Sequence, residues 1–138
     1  ATIHDLPETA SREVCFRYAA PLVAGLEDAH SRLAPPDDDA PDEQRLPLSF
    51  RVVGDAIYVE AVFDESLDPL LGARVLDVGQ TSVATLINRT MDLRGGENRY
   101  FARWWFALCL GSNRWLDLLF GTDSAPEEPT IRVRTPTR

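Results

Sequence analysis

The chain is short of the features that usually announce chemistry. It has two cysteines, Cys15 and Cys109, each set among apolar neighbours. That excludes a disulfide framework and suits buried free thiols in a reducing, intracellular and cytoplasmic setting. No cysteine or histidine spacing fits a zinc site, and neither a metal nor a cofactor is expected. Histidine is equally scarce: His4 lies in a terminus and His30 at a helix end, where each reads as a surface residue rather than a base. A Gly-rich phosphate loop, H-E-x-x-H and G-x-S-x-G are all missing, so no catalytic residue is assigned and the chain is not read as an enzyme. Asp37-Asp38-Asp39 lacks the alternating spacing of a calcium loop. Positive charge is outweighed, with a net charge of -8, which argues against nucleic acid and anionic membranes as partners. The opening ATIHDLPETAS has neither a basic region nor an apolar run, so it does not read as a signal peptide. The polar stretch at 122–138 does not read as a membrane anchor, and none is expected within it.

What is present is ordinary in amount and unusual in placement. A chain of 138 residues with 44% hydrophobic and 26% charged residues suits one globular domain. Most of the large aromatics crowd into Asn98 to Leu110, NRYFARWWFALCL, as Tyr100, Phe101, Trp104, Trp105 and Phe106. Apolar side chains fall on every side of this stretch, which predicts an element buried all round. It is too short to span a bilayer as a helix, which takes about 20 apolar residues. As a helix it takes Asn98 as N-cap after a Gly95-Gly96 turn; as a strand it lies mid-sheet.

The remaining chain divides around that stretch. Residues 9–33 read as a helix with Cys15, Ala19, Leu22 and Leu26 as its apolar stripe and Pro21 as a kink or break. Residues 34–45 are rich in proline and acid and read as a mobile loop. Residues 46–63 fit two patterns. Leu46, Phe50, Val53, Ile57 and Ala61 make one helical stripe, while Phe50–Val53 and Ile57–Phe63 flank a Gly54-Asp55 turn as a hairpin. Local propensity slightly favours the hairpin. Residues 66–78 predict short helical turns broken by Pro69, Gly72 and Gly79. Residues 81–92 predict a helix capped by Thr81, with Val83, Leu86, Ile87 and Met91 inward. Residues 113–120 form a short amphipathic turn with Gly121 as C-cap, and the rest reads as a tail.

One pattern carries a functional suggestion. In Leu46-x-x-x-Phe50-x-x-Val53-Gly54-Asp55-x-Ile57 the apolar positions share a helical face around a Gly-Asp pair. It resembles the third homology motif of the Bcl-2 family of apoptosis regulators. Ser11-Arg12-Glu13-Val14 with Phe16 and Tyr18 resembles that family's first helix, and the acidic loop falls where the family has its variable loop. Leu86 to Met91 followed by Gly95-Gly96-Glu97-Asn98-Arg99 resembles the first homology motif, with Arg99 in the place of its arginine. Asn113-Arg114-Trp115 with Leu118, Phe120 and Gly121 resembles the second.

The resemblance implies an all-α fold, a Bcl-2-like helical bundle around a central apolar helix at 98–110. It implies a single domain over residues 1–121, with a mobile acidic loop at 34–45 and a polar tail at 122–138, and it settles 46–63 as helical. The implied function is inhibition of apoptosis, by capturing the amphipathic death-motif (BH3) helix of a pro-apoptotic protein in a hydrophobic groove. Phe50, Val53, Ile57, Val62, Phe63, Leu71, Val83, Leu86, Ile87, Met91 and Tyr100 would line that groove, and Arg99 would meet the ligand's aspartate. Exposed groove residues would favour a homodimer. A compact, divergent chain of this kind suits a virus-encoded pro-survival protein acting in the host cytoplasm or at mitochondria. A second reading, an acyl thioesterase of the hotdog type, makes 9–33 the helix and 50–63, 73–88 and 100–110 strands, with Val78-Gly79-Gln80-Thr81-Ser82-Val83 as a sheet turn.

Overall fold

A computed structural model describes residues 9–36, 46–120 and 130–136. It overturns the all-α expectation. Five antiparallel strands form a sheet that packs against helices. The elements run α1 (Arg12–Ala24), β1 (Leu48–Val53), β2 (Ala56–Val62), a 3-10 helix (Glu65–Leu70), β3 (Arg74–Val78), β4 (Thr81–Ser82), α2 (Val83–Arg94), α3 (Arg99–Cys109), α4 (Asn113–Phe120) and β5 (Ile131–Arg134).

The decisive difference lies in 46–63, which is a hairpin. Val53 pairs with Ala56 across a two-residue loop, and Gly54 adopts φ +59°. A two-residue connection with positive φ at its first position matches the right-handed twist of the strands. The residues either side, Phe50, Val52, Val53, Ile57, Tyr58 and Val59, are β-branched or aromatic, types that strands favour. The helical stripe counted through Phe50, Val53 and Ile57 is a coincidence of spacing: along the strands Phe50, Ile57 and Val59 are buried while Val53 is exposed. Of the strands in the thioesterase reading, 50–63 and the first part of 73–88 do form strands, but 83–94 and 99–109 are helices.

Strand β3 is the hub. β5 runs along one of its edges from Arg74 to Val78. On the other edge β2 pairs at Val75 and Arg74, and β4 pairs at Asp77 and Val78. Leu76 sits at the seam between these two partners. The strand at 131–134 lies within the stretch read as a polar tail. Its Ile131 and Val133 pack against the core, and Arg132 pairs with Asp77.

The main core joins sheet and helices. Ile57, Val78, Leu86, Phe106, Leu110 and Leu116 are fully or almost fully buried in it. A smaller core lies under α1, where Phe16 and Ala20 meet Cys109, Trp115 and Leu118. The buried stripe of α1 is therefore Phe16, Ala20 and Ala24, shifted by one or two positions from the expected stripe, and Cys15, Leu22 and Leu26 are exposed, which corrects the expectation that both thiols are buried. Pro21 sits inside α1 without ending it. α2 starts at Ser82, whose side chain accepts from the Thr85 backbone N–H at 3.2 Å, one residue after the expected cap. Its end turns through Gly95, where φ is +68° and a Cβ would lie 2.8 Å from the Ala24 backbone. Only glycine lets α1 and the α2–α3 turn approach this closely. Gly121 and the acidic part of the 34–45 loop from 37 onward lie outside the described residues.

Candidate functional site

Helix α3 presents two different faces. Asn98 caps it as expected, its side chain accepting from the Phe101 N–H at 3.0 Å. The helix lies over β1 and beside α2. Ala102, Phe106 and Cys109 turn inward. The opposite face is not buried, which corrects the expectation of burial all round. Tyr100, Trp104 and Leu108, spaced i, i+4, i+8, are 61%, 42% and 57% exposed. Residues at this spacing lie one above another along a helix, so they form a single apolar stripe facing solvent.

Each end of the stripe opens onto a cleft. Near the helix N-terminus, Arg99 and Arg103 line a cleft of about 350 Å3 with Asp55, Arg74, Leu76, Ser82, Val83, Ala84 and Ile87. This is the seam where β2 and β4 meet β3. Arg103 Nη1 pairs with Asp55 Oδ1 at 2.6 Å, and Arg99 Nη2 donates to Asn88 Oδ1 at 2.8 Å. Arg74 makes no side-chain bond among the described residues, and the strand register sets it opposite Arg134. The formal charge on this lining is three arginines against one aspartate. Near the helix C-terminus, Leu108 shares a cleft of about 410 Å3 with Leu46, Leu48, Phe50, Phe63 and Ala107. Phe63 is 72% exposed.

A larger cleft of about 570 Å3 lies between the start of α1 and α4. Its lining balances Arg12 and Arg114 against Glu13 and Asp117, so it favours neither sign of ligand. Burial, with the Glu13 carboxylate next, raises the Asp117 pKa above the usual carboxylate range, and Arg17 opposes the shift. Asp28, His30 and Glu97 bring ligand atoms within 4.8 Å of one another. Both Asp28 oxygens are already occupied there, accepting from the His30 backbone N–H and from the Ser31 hydroxyl. Those bonds, the backbone one first, lower the Asp28 pKa.

The expected groove residues separate into three sets. Phe50, Ile57, Val83, Leu86 and Ile87 belong to the main core, Val62 and Met91 pack half-buried against it, and Val53, Phe63, Leu71 and Tyr100 are exposed. Arg99, Val83 and Ile87 do meet, in the cationic cleft, and Phe50 and Phe63 meet in the apolar one. Leu71, at the end of the 3-10 helix, joins neither. Reasoning from the sequence missed Trp104, Leu108, Arg103, Arg74 and Asp55. The i, i+4, i+8 spacing of the first two with Tyr100, and the i, i+4 spacing of Arg99 and Arg103, were available signals.

No known family model, curated protein or solved structure matches the chain. Among the described residues no helix is long and apolar enough to cross a membrane.

Proposed function

We propose that the chain is a non-catalytic protein-interaction module that docks an acidic, amphipathic segment of a partner protein along the outer face of α3. One observation carries this reading: Tyr100, Trp104 and Leu108 form an exposed apolar stripe flanked by Arg99 and Arg103. Large aromatic and arginine side chains are the types that dominate binding energy at protein interfaces. A contiguous apolar strip rimmed by charge is what a docking face looks like before its partner arrives. Covering a half-exposed Tyr, Trp or Leu stabilises a complex by roughly 1–2 kcal/mol each, offset by the cost of ordering the partner. The three side chains together give about 3–6 kcal/mol, so the arginine pairings and the rest of the interface supply the remainder of the roughly 8 kcal/mol that micromolar affinity requires.

A partner helix with an apolar side chain every third or fourth position and one carboxylate has the matching shape. Exposed Tyr100 beside Arg99 supports this reading; the groove expected between all-α elements is not part of the fold, and the docking reading rests on the α3 face alone.

The test is a fluorescence-anisotropy titration with a labelled amphipathic peptide of death-motif pattern carrying a single aspartate. Wild type should bind with micromolar affinity. Trp104→Ser with Leu108→Ser should weaken binding at least tenfold while leaving the helical spectrum unchanged. Equal binding by wild type and the double variant removes the stripe from the role. Concentration-dependent sedimentation of the chain alone, abolished by the same variant, would make a second copy the occupant instead.

A further inference from the structure

We infer that the cationic cleft at the N-terminal end of α3 is a phosphate-monoester site. Resting on the docking reading, the inference adds that the partner segment carries its charge as a phosphorylated side chain seated between Arg74, Arg99 and Arg103. Three arginines face one carboxylate, Asp55, in the cleft lining, a formal excess of two positive charges in a chain whose net charge is -8. A phosphate monoester carries about -1.5 to -2 near pH 7, which matches that excess, whereas one carboxylate would leave it half met.

Three further features favour an anion here. Arg74 stands directly opposite Arg134 across the β3–β5 ladder, and like charges in that relation repel unless a counter-charge lies near. The first turn of α2, at Val83 and Ala84, lines the same cleft. The first N–H groups of a helix have no acceptor within it and point outward. Guanidinium groups meet phosphate through paired N–H donors, with a geometric fit that lysine does not offer. The chain contains no lysine, so its guanidinium groups are all the long cationic side chains it has. A cleft of about 350 Å3 holds a phosphate and the side chain that bears it, and Asp55, paired with Arg103, is the one carboxylate in the lining that opposes an anion.

The experiment titrates the 15N-labelled chain with phenyl phosphate and, separately, with acetate, following backbone amides by NMR. The expected result is saturable shifts at Leu76, Val83 and Ala84 with phenyl phosphate, and at least fivefold weaker binding of acetate. Arg74→Gln with Arg99→Gln should weaken phenyl phosphate at least tenfold. Asp55→Asn should tighten it, an opposite sign that general unfolding cannot imitate. Shifts spread evenly over arginines outside the cleft, no saturation, or acetate binding as well as phenyl phosphate would each overturn the proposal. Trp104→Ser should leave phenyl phosphate binding intact. Loss of peptide docking and loss of the phosphate site are therefore read separately. A phosphoserine peptide binding no tighter than free phenyl phosphate would assign the cleft to a small phosphorylated metabolite and overturn the partner-borne form.

Discussion

Arg94 and Arg99 lie five residues apart and lead opposite lives. Arg94 is 6% exposed. Its guanidinium lies 4.4 Å from the Trp105 ring centre and 5.4 Å from that of Phe101, and its Nη2 donates to the Ala29 carbonyl at 3.1 Å. Its Nε and Nη1 have no hydrogen-bond acceptor among the described residues. Burial, with Arg32 nearby, lowers its pKa, and Cys109 opposes that shift. Arg99 is exposed and reaches across the cationic cleft to Asn88. The first arginine holds the loop after α1 against α3; the second leaves most of its donors to a ligand. Arg17 and Arg89 side with Arg94, donating to the carbonyls of Leu118 and Leu119 at 3.0 Å. Identical side chains thus divide into clamps between elements and donors facing a cleft, according to whether a carbonyl of another element lies within reach.

The sharpest way to break this division is to remove a clamp. Arg94→Ala should cost about 2–4 kcal/mol, from a desolvated cation–π contact, a charged hydrogen bond and lost packing of the stem. Urea denaturation reads it. Arg94→Lys should recover only part, because an ammonium cannot lie flat against both rings. A loss below 1 kcal/mol would move Arg94 to the surface class. Next in size is Gly95→Ala, expected to cost about 1–3 kcal/mol through positive-φ strain and the clash with Ala24. The same denaturation series checks it, and no loss would show that the α1 contact is loose.

Arg99→Ala should do the reverse of Arg94→Ala. Stability should stay within about 0.5 kcal/mol of wild type, while affinity for the acidic peptide falls by roughly 1–3 kcal/mol. An equal loss in both measurements would erase the distinction between clamp and donor. The smallest effect belongs to Asp117. Its folded pKa is raised, so the folded state favours the protonated acid. The resulting stability is present below the unfolded pKa and is lost as pH rises through the folded one. Asp117→Asn should therefore be neutral to slightly stabilising at pH 7, with the difference shrinking toward pH 3. Thermal melts across that range decide it, and a destabilised variant at pH 7 contradicts the assignment.

How much of this could be read from residues alone varies with the range over which each signal acts. The Asn98 cap, the glycine turn before α3 and the helix near 81–92 are local signals that the structure keeps, and the amphipathic turn expected at 113–120 is a full helix. The hairpin at 48–62 was also legible locally, in Gly54-Asp55 between β-branched runs. A family resemblance built on apolar spacing overrode that signal, and apolar spacing alone fits a helix and a hairpin equally over so few residues. β5 was illegible because Ile131-Arg132-Val133-Arg134 is too short to stand out; its partner β3 lies more than fifty positions away in the chain. The exposed face of α3 was hidden by composition, since aromatic content says nothing about which face finds a neighbour. The cationic cleft assembles Arg74, Arg99 and Arg103 from a strand and a helix, and only the seam on β3 brings them together.

Docking on the outer face of α3 is read residue by residue from amide shifts of the 15N-labelled chain titrated with the acidic amphipathic peptide. Saturable shifts confined to Arg99–Leu108 and to Val83 and Ala84 at the adjoining cleft are expected. Saturable shifts centred instead on Ser11, Arg114 and Leu118, or none at peptide concentrations in the millimolar range, would contradict it.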